Sequence, residues 1–133
     1  MAERIIKPWG WSQEVYRDEL TRVVRIHVEP GGFCSWHKHE RQVNYFWLIS
    51  GSISVERLIR DPADQPRRIA TDLDVKEKDG IVPGVCVSEG WIHRFISYGG
   101  CEAIEVYTST DGSPPDESDI VRFNEGGIRS PSS

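Results

Sequence analysis

Two histidines stand one residue apart in "SWHKHERQVNYFWLISG", Ser35 to Gly51. In an extended strand residues i and i+2 point to the same face, so His37 and His39 aim their imidazoles in one direction. One strand can grip a metal in this way. On its own such a pair reads better as two solvated surface histidines. A third histidine, His93 in "GWIHRF", follows the turn "SEG" in a comparable strand context and supplies a ligand from a second strand. The combined pattern favours a centre made of His37, His39 and His93, whose neutral imidazoles suit a divalent ion such as Zn, Fe, Ni or Mn. The remaining histidine, His27, falls on the polar side of its own strand and reads as solvated.

The elements that must position these side chains read as strands almost throughout. "RVVRIHVEP" alternates, with Val24, Ile26 and Val28 on one face and Arg25 and His27 on the other, and ends at Pro30-Gly31-Gly32. "FCSWHKH" follows as a strand, and "NYFWLISGSISVERLIR" as a strand pair broken at Ser50-Gly51. "DPADQP" and "KEKDG" are turn-rich, "RRIATDLDV" is a further strand, and "GVCVSEGWIHRFIS" and "EAIEVYTS" supply two more. Short strands with turn signals about every ten residues predict an all-β sandwich or barrel. The tail from Thr110 is Pro- and acid-rich, with a docked or helical segment near Ile120 to Phe123 and a frayed "GGIRSPSS" end.

Length and composition set the outer limits. With 133 residues the chain has room for one core, so a single domain over 1–133 is expected, its barrel core at about 20–110. A net charge of −5 argues against non-specific nucleic-acid binding. No apolar run is long enough to span a membrane, and "MAERIIKPWG" has no signal-peptide pattern. Three cysteines without CxxC spacing fit a reducing, cytoplasmic setting, with the thiols filling strand positions.

"GGFCSWHKHERQVNYFWLISG" resembles the first motif of the cupin superfamily, in which Gly31, His37, His39 and Gly51 keep the spacing and Asn44 stands where a Glu is usual. "SEGWIHRFIS" resembles the second motif through Gly90 and His93, with Ser88 and Ser97 at its Pro and Asn positions. "KPWGW", "GWIHRF" and "DIVRF" look like strings of the C-terminal cupin domain of type II phosphomannose isomerases, over Lys7 to Phe123. The resemblance implies a cupin-type jelly-roll β-barrel, a central metal, a sugar or sugar-phosphate substrate and a homodimer. It also implies a substrate or phosphate contact for Arg94, the Arg of the family's HR pair; by alternation Arg94 lies on the face opposite His93 and reads equally well as the partner of a surface carboxylate. Family members often carry a nucleotidyltransferase domain ahead of the cupin; a chain opening almost at "KPWG" is expected to lack it.

Asn44 is the main departure. It shares a face with Phe46 and Leu48, which makes it the inward fourth neighbour of the metal. An amide offers only a neutral oxygen, so three histidines and an amide leave the charge of the ion uncancelled. Glu40, next to the histidine pair, and Glu89 are the carboxylates nearest in sequence that could serve as a base. The expected activity is aldose–ketose isomerisation of a sugar phosphate. The alternatives are a non-catalytic cupin that binds a sugar or small acid, and an Fe-dependent dioxygenase. Among the five tryptophans Trp91 is a candidate pocket wall and the others read as packing.

Overall fold

The computed structural model describes residues 2–60, 66–75 and 83–130. The expected "KEKDG" turn lies outside these residues, as does "DPADQP" apart from Pro66. Among the described residues every regular element is a strand: β1 (Ile5–Lys7), β2 (Gly10–Arg17), β3 (Thr21–Val28), β4 (Gly32–Phe33), β5 (His37–Lys38), β6 (Gln42–Arg60), β7 (Pro66–Asp74), β8 (Gly84–Val87), β9 (Ile92–Ser97), β10 (Cys101–Ser109), β11 (Val121–Arg122) and β12 (Gly127–Ile128). They form one curled antiparallel sheet in the order β1-β2-β3-β10-β6-β9-β4-β12, with β7 and β8 on β6 and β5 joining β9 to β11. No helix among the described residues is long and apolar enough to cross a membrane.

The alternation of β3 is realised as expected: Val24, Ile26 and Val28 are buried, and Arg25 is exposed. They pack with Phe46, Leu48 and Val55 of β6 and Phe95 of β9. Trp9 also enters this core, meeting Phe95 edge to face at a centroid distance of 5.0 Å. The "KPWGW" segment closes the β1–β2 hairpin and contributes an aromatic ring to the interior.

The long strand β6 is the spine. Its first half pairs with β10 and β8 through Gly51, and its second half pairs with β7 and β9 from Ser52 onward. The expected break at Ser50-Gly51 is a bend inside one 19-residue strand. A register shift between Glu102 and Ala103 leaves Ile49 unopposed, and Gly51 follows with φ of 79°. The bulge and the positive φ turn the strand from one half of the sheet to the other without ending the ladder.

Two other expectations are corrected. "FCSWHKH" is two short strands, β4 and β5, separated by an irregular stretch. The "GGIRSPSS" end is not frayed as far as Ser130, because β12 pairs with β4 and the Arg129 amide donates to Gly31 O at 2.8 Å. Cys34 and Cys101 are buried free thiols, and burial pushes Cys34 up to about 12. Cys86 is an exposed free thiol.

On the outer face, His27 faces Glu102 and Glu29, and the Glu102 bond is the main cause that raises its pKa above the ordinary 6.5. Its stabilisation is therefore full below about pH 6.5 and fades as pH rises through the raised folded value. We expect urea titrations to show His27→Gln less stable than the parent at pH 5.5, by up to about 1 kcal/mol for a partly exposed pair, and equal to it at pH 8.5. At the bend, a Cβ on Gly51 would collide with the Gly100 carbonyl oxygen, whereas Gly90, with a similar φ, has open space. Gly90→Ala should cost about 1–2 kcal/mol, and Gly51→Ala clearly more, by the same measurement.

Candidate metal centre

The pairing of β5 with β9 sets His37 directly opposite His93. His39, two residues on, returns to the same face. The ring centroids lie 4.3 Å (His37–His93), 5.0 Å (His37–His39) and 5.4 Å (His39–His93) apart. One nitrogen from each ring falls within 4.8 Å of the others, so the three histidines could hold a metal ion. All three side chains are buried.

Backbone carbonyls set the tautomers. His37 Nδ1 donates to Ser35 O at 2.7 Å, His39 Nδ1 to Asp119 O at 2.7 Å and His93 Nδ1 to Trp91 O at 2.9 Å. A carbonyl oxygen can only accept, so each proton sits on Nδ1 and each lone pair on Nε2. Nε2 of His39 and of His93 is buried with no hydrogen-bond partner. Two orphaned buried acceptors in a three-imidazole cluster are costly unless a cation takes them, and this outer-sphere arrangement is the one that orients metal-ligating histidines. Burial is the main cause lowering all three pKa values, His93 to about 4 and His37 well below the ordinary value, with the His93 and His39 rings adding at His37. The donors are therefore neutral at pH 7, and the residues fit a divalent ion.

The C-terminal "DIVRF" string takes part in this arrangement. The Asp119 carboxylate accepts from the backbone amides of Glu40 and Arg41 at 3.1 and 2.9 Å and from Gln42 Nε2 at 2.9 Å, while its carbonyl receives His39. Strand β11 pairs with β5, with Arg122 opposite His37.

A cavity of about 430 Å³ opens on His37 and His39, and its wall includes Gln42, Glu105 and Tyr107. Glu105 is the residue that sequence reasoning missed. Strand β10 turns Cys101, Ala103, Glu105 and Tyr107 inward, placing a carboxylate deep in the barrel. Burial raises the Glu105 pKa, and the Tyr107 hydroxyl, donating to Oε2 at 2.9 Å, opposes that rise. Asn44 is fully buried; its amide nitrogen lies 3.5 Å from Glu105 Oε1, and its Oδ1 has no hydrogen-bond partner.

The structure does not bring the other candidates to the cavity wall. Arg94 Nε donates to the buried Glu56 at 3.0 Å, and its guanidinium lies over Trp36, 4.7 Å from the ring centroid. Glu40 is exposed and pairs with Lys38 at 2.8 Å. Glu89 is exposed on the turn before β9, and Trp91 packs against the hydrophobic core.

A divalent ion that binds only the folded chain should stabilise it by about 2.7 kcal/mol at a hundred times its dissociation constant. The expected result is a rise in melting temperature with one equivalent of bound metal by elemental analysis. Both should be lost in His93→Ala and kept in Arg94→Gln and Glu40→Gln.

No protein-family model matches this chain, and no curated protein does. Solved structures match its fold. Oxalate decarboxylase from Bacillus subtilis at pH 4.6 superposes with a TM-score of 0.72 at 17% identity, over 92% of this chain and 30% of that one. The formate complex of Lactobacillus farciminis oxalate decarboxylase gives a TM-score of 0.71 at 20% identity, over 92% of this chain and 34% of that one. A further Bacillus subtilis oxalate decarboxylase structure, described for its Mn(II) centres, gives 0.69 at 16% identity, over 91% and 30%. The chain thus spans about a third of the length of the structures it matches. These neighbours are cupin-fold proteins, and the curled antiparallel sheet around the three histidines has the cupin fold.

Proposed function

We propose that the protein is a metal-dependent cupin enzyme that isomerises a small sugar phosphate between aldose and ketose forms. The observation that carries this reading is Glu105, a buried carboxylate in the wall of the cavity onto which His37 and His39 of the centre open. Isomerisation through an enediol(ate) needs a polarised carbonyl and a base that can lift a proton from C2 and return it at C1, while a second proton moves between O1 and O2. A divalent ion on the three Nε2 atoms supplies Lewis-acid polarisation of adjacent oxygens.

The chain's own residues account for the rest. Glu105 is the base, and its geometry is fixed by the Tyr107 hydroxyl at 2.9 Å. Asn44 Oδ1, buried and unpartnered, is the fourth polar atom we assign to the centre, directly or through water. Trp9, Val24 and Phe95 make the wall partly apolar and limit the water around the reacting carbons. We place Glu105 in the part for which the sequence offered Glu40 and Glu89. The three free thiols suit the cytoplasmic setting of this reading, in which the enzyme is a homodimer.

A second reading rests on the fold neighbours. Oxalate decarboxylases share the fold, so cleavage of a small dicarboxylate is the competing chemistry. Mannose 6-phosphate turnover and formate release from oxalate, measured side by side on metal-loaded protein, separate the two. We expect the sugar phosphate to turn over and Glu105→Gln to lose about 100-fold or more with its metal content unchanged. Formate release without isomerisation would transfer the assignment to the second reading.

A further inference from the structure

Two cations from opposite ends of the chain face the same cavity. Lys7 closes β1, and Arg122 lies in β11 directly across from His37. Among the described residues neither has a carboxylate within ion-pairing distance. Arg122 is exposed, and its Nη1 donates to Ser35 Oγ at 2.9 Å, which steadies the guanidinium. Lys7 is half-buried, and its pKa is lowered first by that burial and next by the charge of Arg122, with the Glu105 and Glu117 carboxylates opposing the fall. A lysine brought out of water beside an arginine is an unfavourable arrangement unless something anionic joins them.

The other charges of the wall are already committed or exposed. Arg22 is held by Glu14 at 2.9 Å, and Glu117 by Arg17 at 3.2 Å. Asp116 caps its own turn through the Ser118 amide at 3.0 Å. Glu125 is exposed, and Glu105 is the one buried carboxylate of the wall. Three neutral imidazoles do nothing to offset the charge of a divalent ion. Of the cations of the wall, Lys7 and Arg122 are the two without an ion pair among the described residues, which leaves them available to an anionic ligand beside the three imidazoles.

We propose that Lys7 and Arg122 form an oxyanion clamp that binds the phosphate of the ligand while the carbon skeleton faces the histidines. This inference rests on the sugar-phosphate reading and assigns to Lys7 and Arg122 the anion contact that the HR pair suggested for Arg94. Arg122 offers a bidentate fork to the phosphate, and Lys7 offers a point charge. A volume of about 430 Å³ accommodates a hexose phosphate.

Calorimetric titration of the metal-loaded full chain with mannose 6-phosphate, mannose and oxalate tests the clamp. Mannose 6-phosphate should bind at least about 10-fold more tightly than mannose. Lys7→Gln and Arg122→Gln should each remove about 10-fold of that affinity, the usual worth of a charge-assisted hydrogen bond. Arg94→Gln should change it less than about 2-fold, and Lys7→Arg should restore most of the lysine's share. Cooperative thermal unfolding and full metal content, retained in every variant, show that the fold and the centre persist, although Arg94→Gln is expected to melt lower because it leaves the buried Glu56 without its closest partner. The clamp is overturned if mannose binds as well as its phosphate, if oxalate is preferred, or if Arg94→Gln rather than the Lys7 and Arg122 variants carries the loss. Affinity that depends on Lys7 and Arg122 without any isomerisation would keep the clamp and sink the catalytic reading. Turnover with a KM indifferent to both cations would do the reverse.

Discussion

Three imidazoles buried with their Nε2 lone pairs turned toward one another set the terms for everything around them. Such an arrangement is unfavourable in an empty interior, and it persists because each Nδ1 proton is tied to a backbone carbonyl. Those carbonyls belong to Ser35, Trp91 and Asp119, so the irregular stretch before β5, the turn before β9 and the C-terminal tail must all be held in place at once. The short pairings of β5 with β9 and of β11 with β5 are the means. They are too brief to be stable alone, and they are held because β9 is anchored along β6.

That dependence explains what was legible in the sequence. Val24, Ile26 and Val28 declared their strand because a half-buried strand with one apolar face has a period of two and nothing competes with it. His37, His39 and His93 were legible because a metal centre imposes both residue type and spacing. Gly51 was legible as a disruption, but not as a bend within a continuous strand. Turn chemistry signals a positive φ, and only the pairing partners on either side show that the ladder continues.

Glu105 was illegible for a physical reason. In "CEAIEVYTS" the bulkier aliphatic residues are Ile104 and Val106, so local hydrophobicity argues that their face is the inner one. The sheet chooses the opposite face, because Ala103 lies between Ile26 and Leu48 and the interior there has room for a small side chain. Register overrides local pattern. Arg94 and Arg122 differ in the same way. Both lie beside a histidine in sequence or in pairing, and only tertiary structure shows that one satisfies the buried Glu56 while the other faces the cavity.

The carbonyl that fixes His39 belongs to residue 119, eighty positions further along the chain. During synthesis the ribosome releases His37 and His39 long before Asp119, and His93 also precedes it. Until the tail arrives, the His39 ring is free to rotate and to exchange its proton between the two nitrogens. The full three-ring donor geometry therefore depends on the segment around Asp119 being docked. A nascent or C-terminally clipped chain would carry every ligand and still lack the donor geometry.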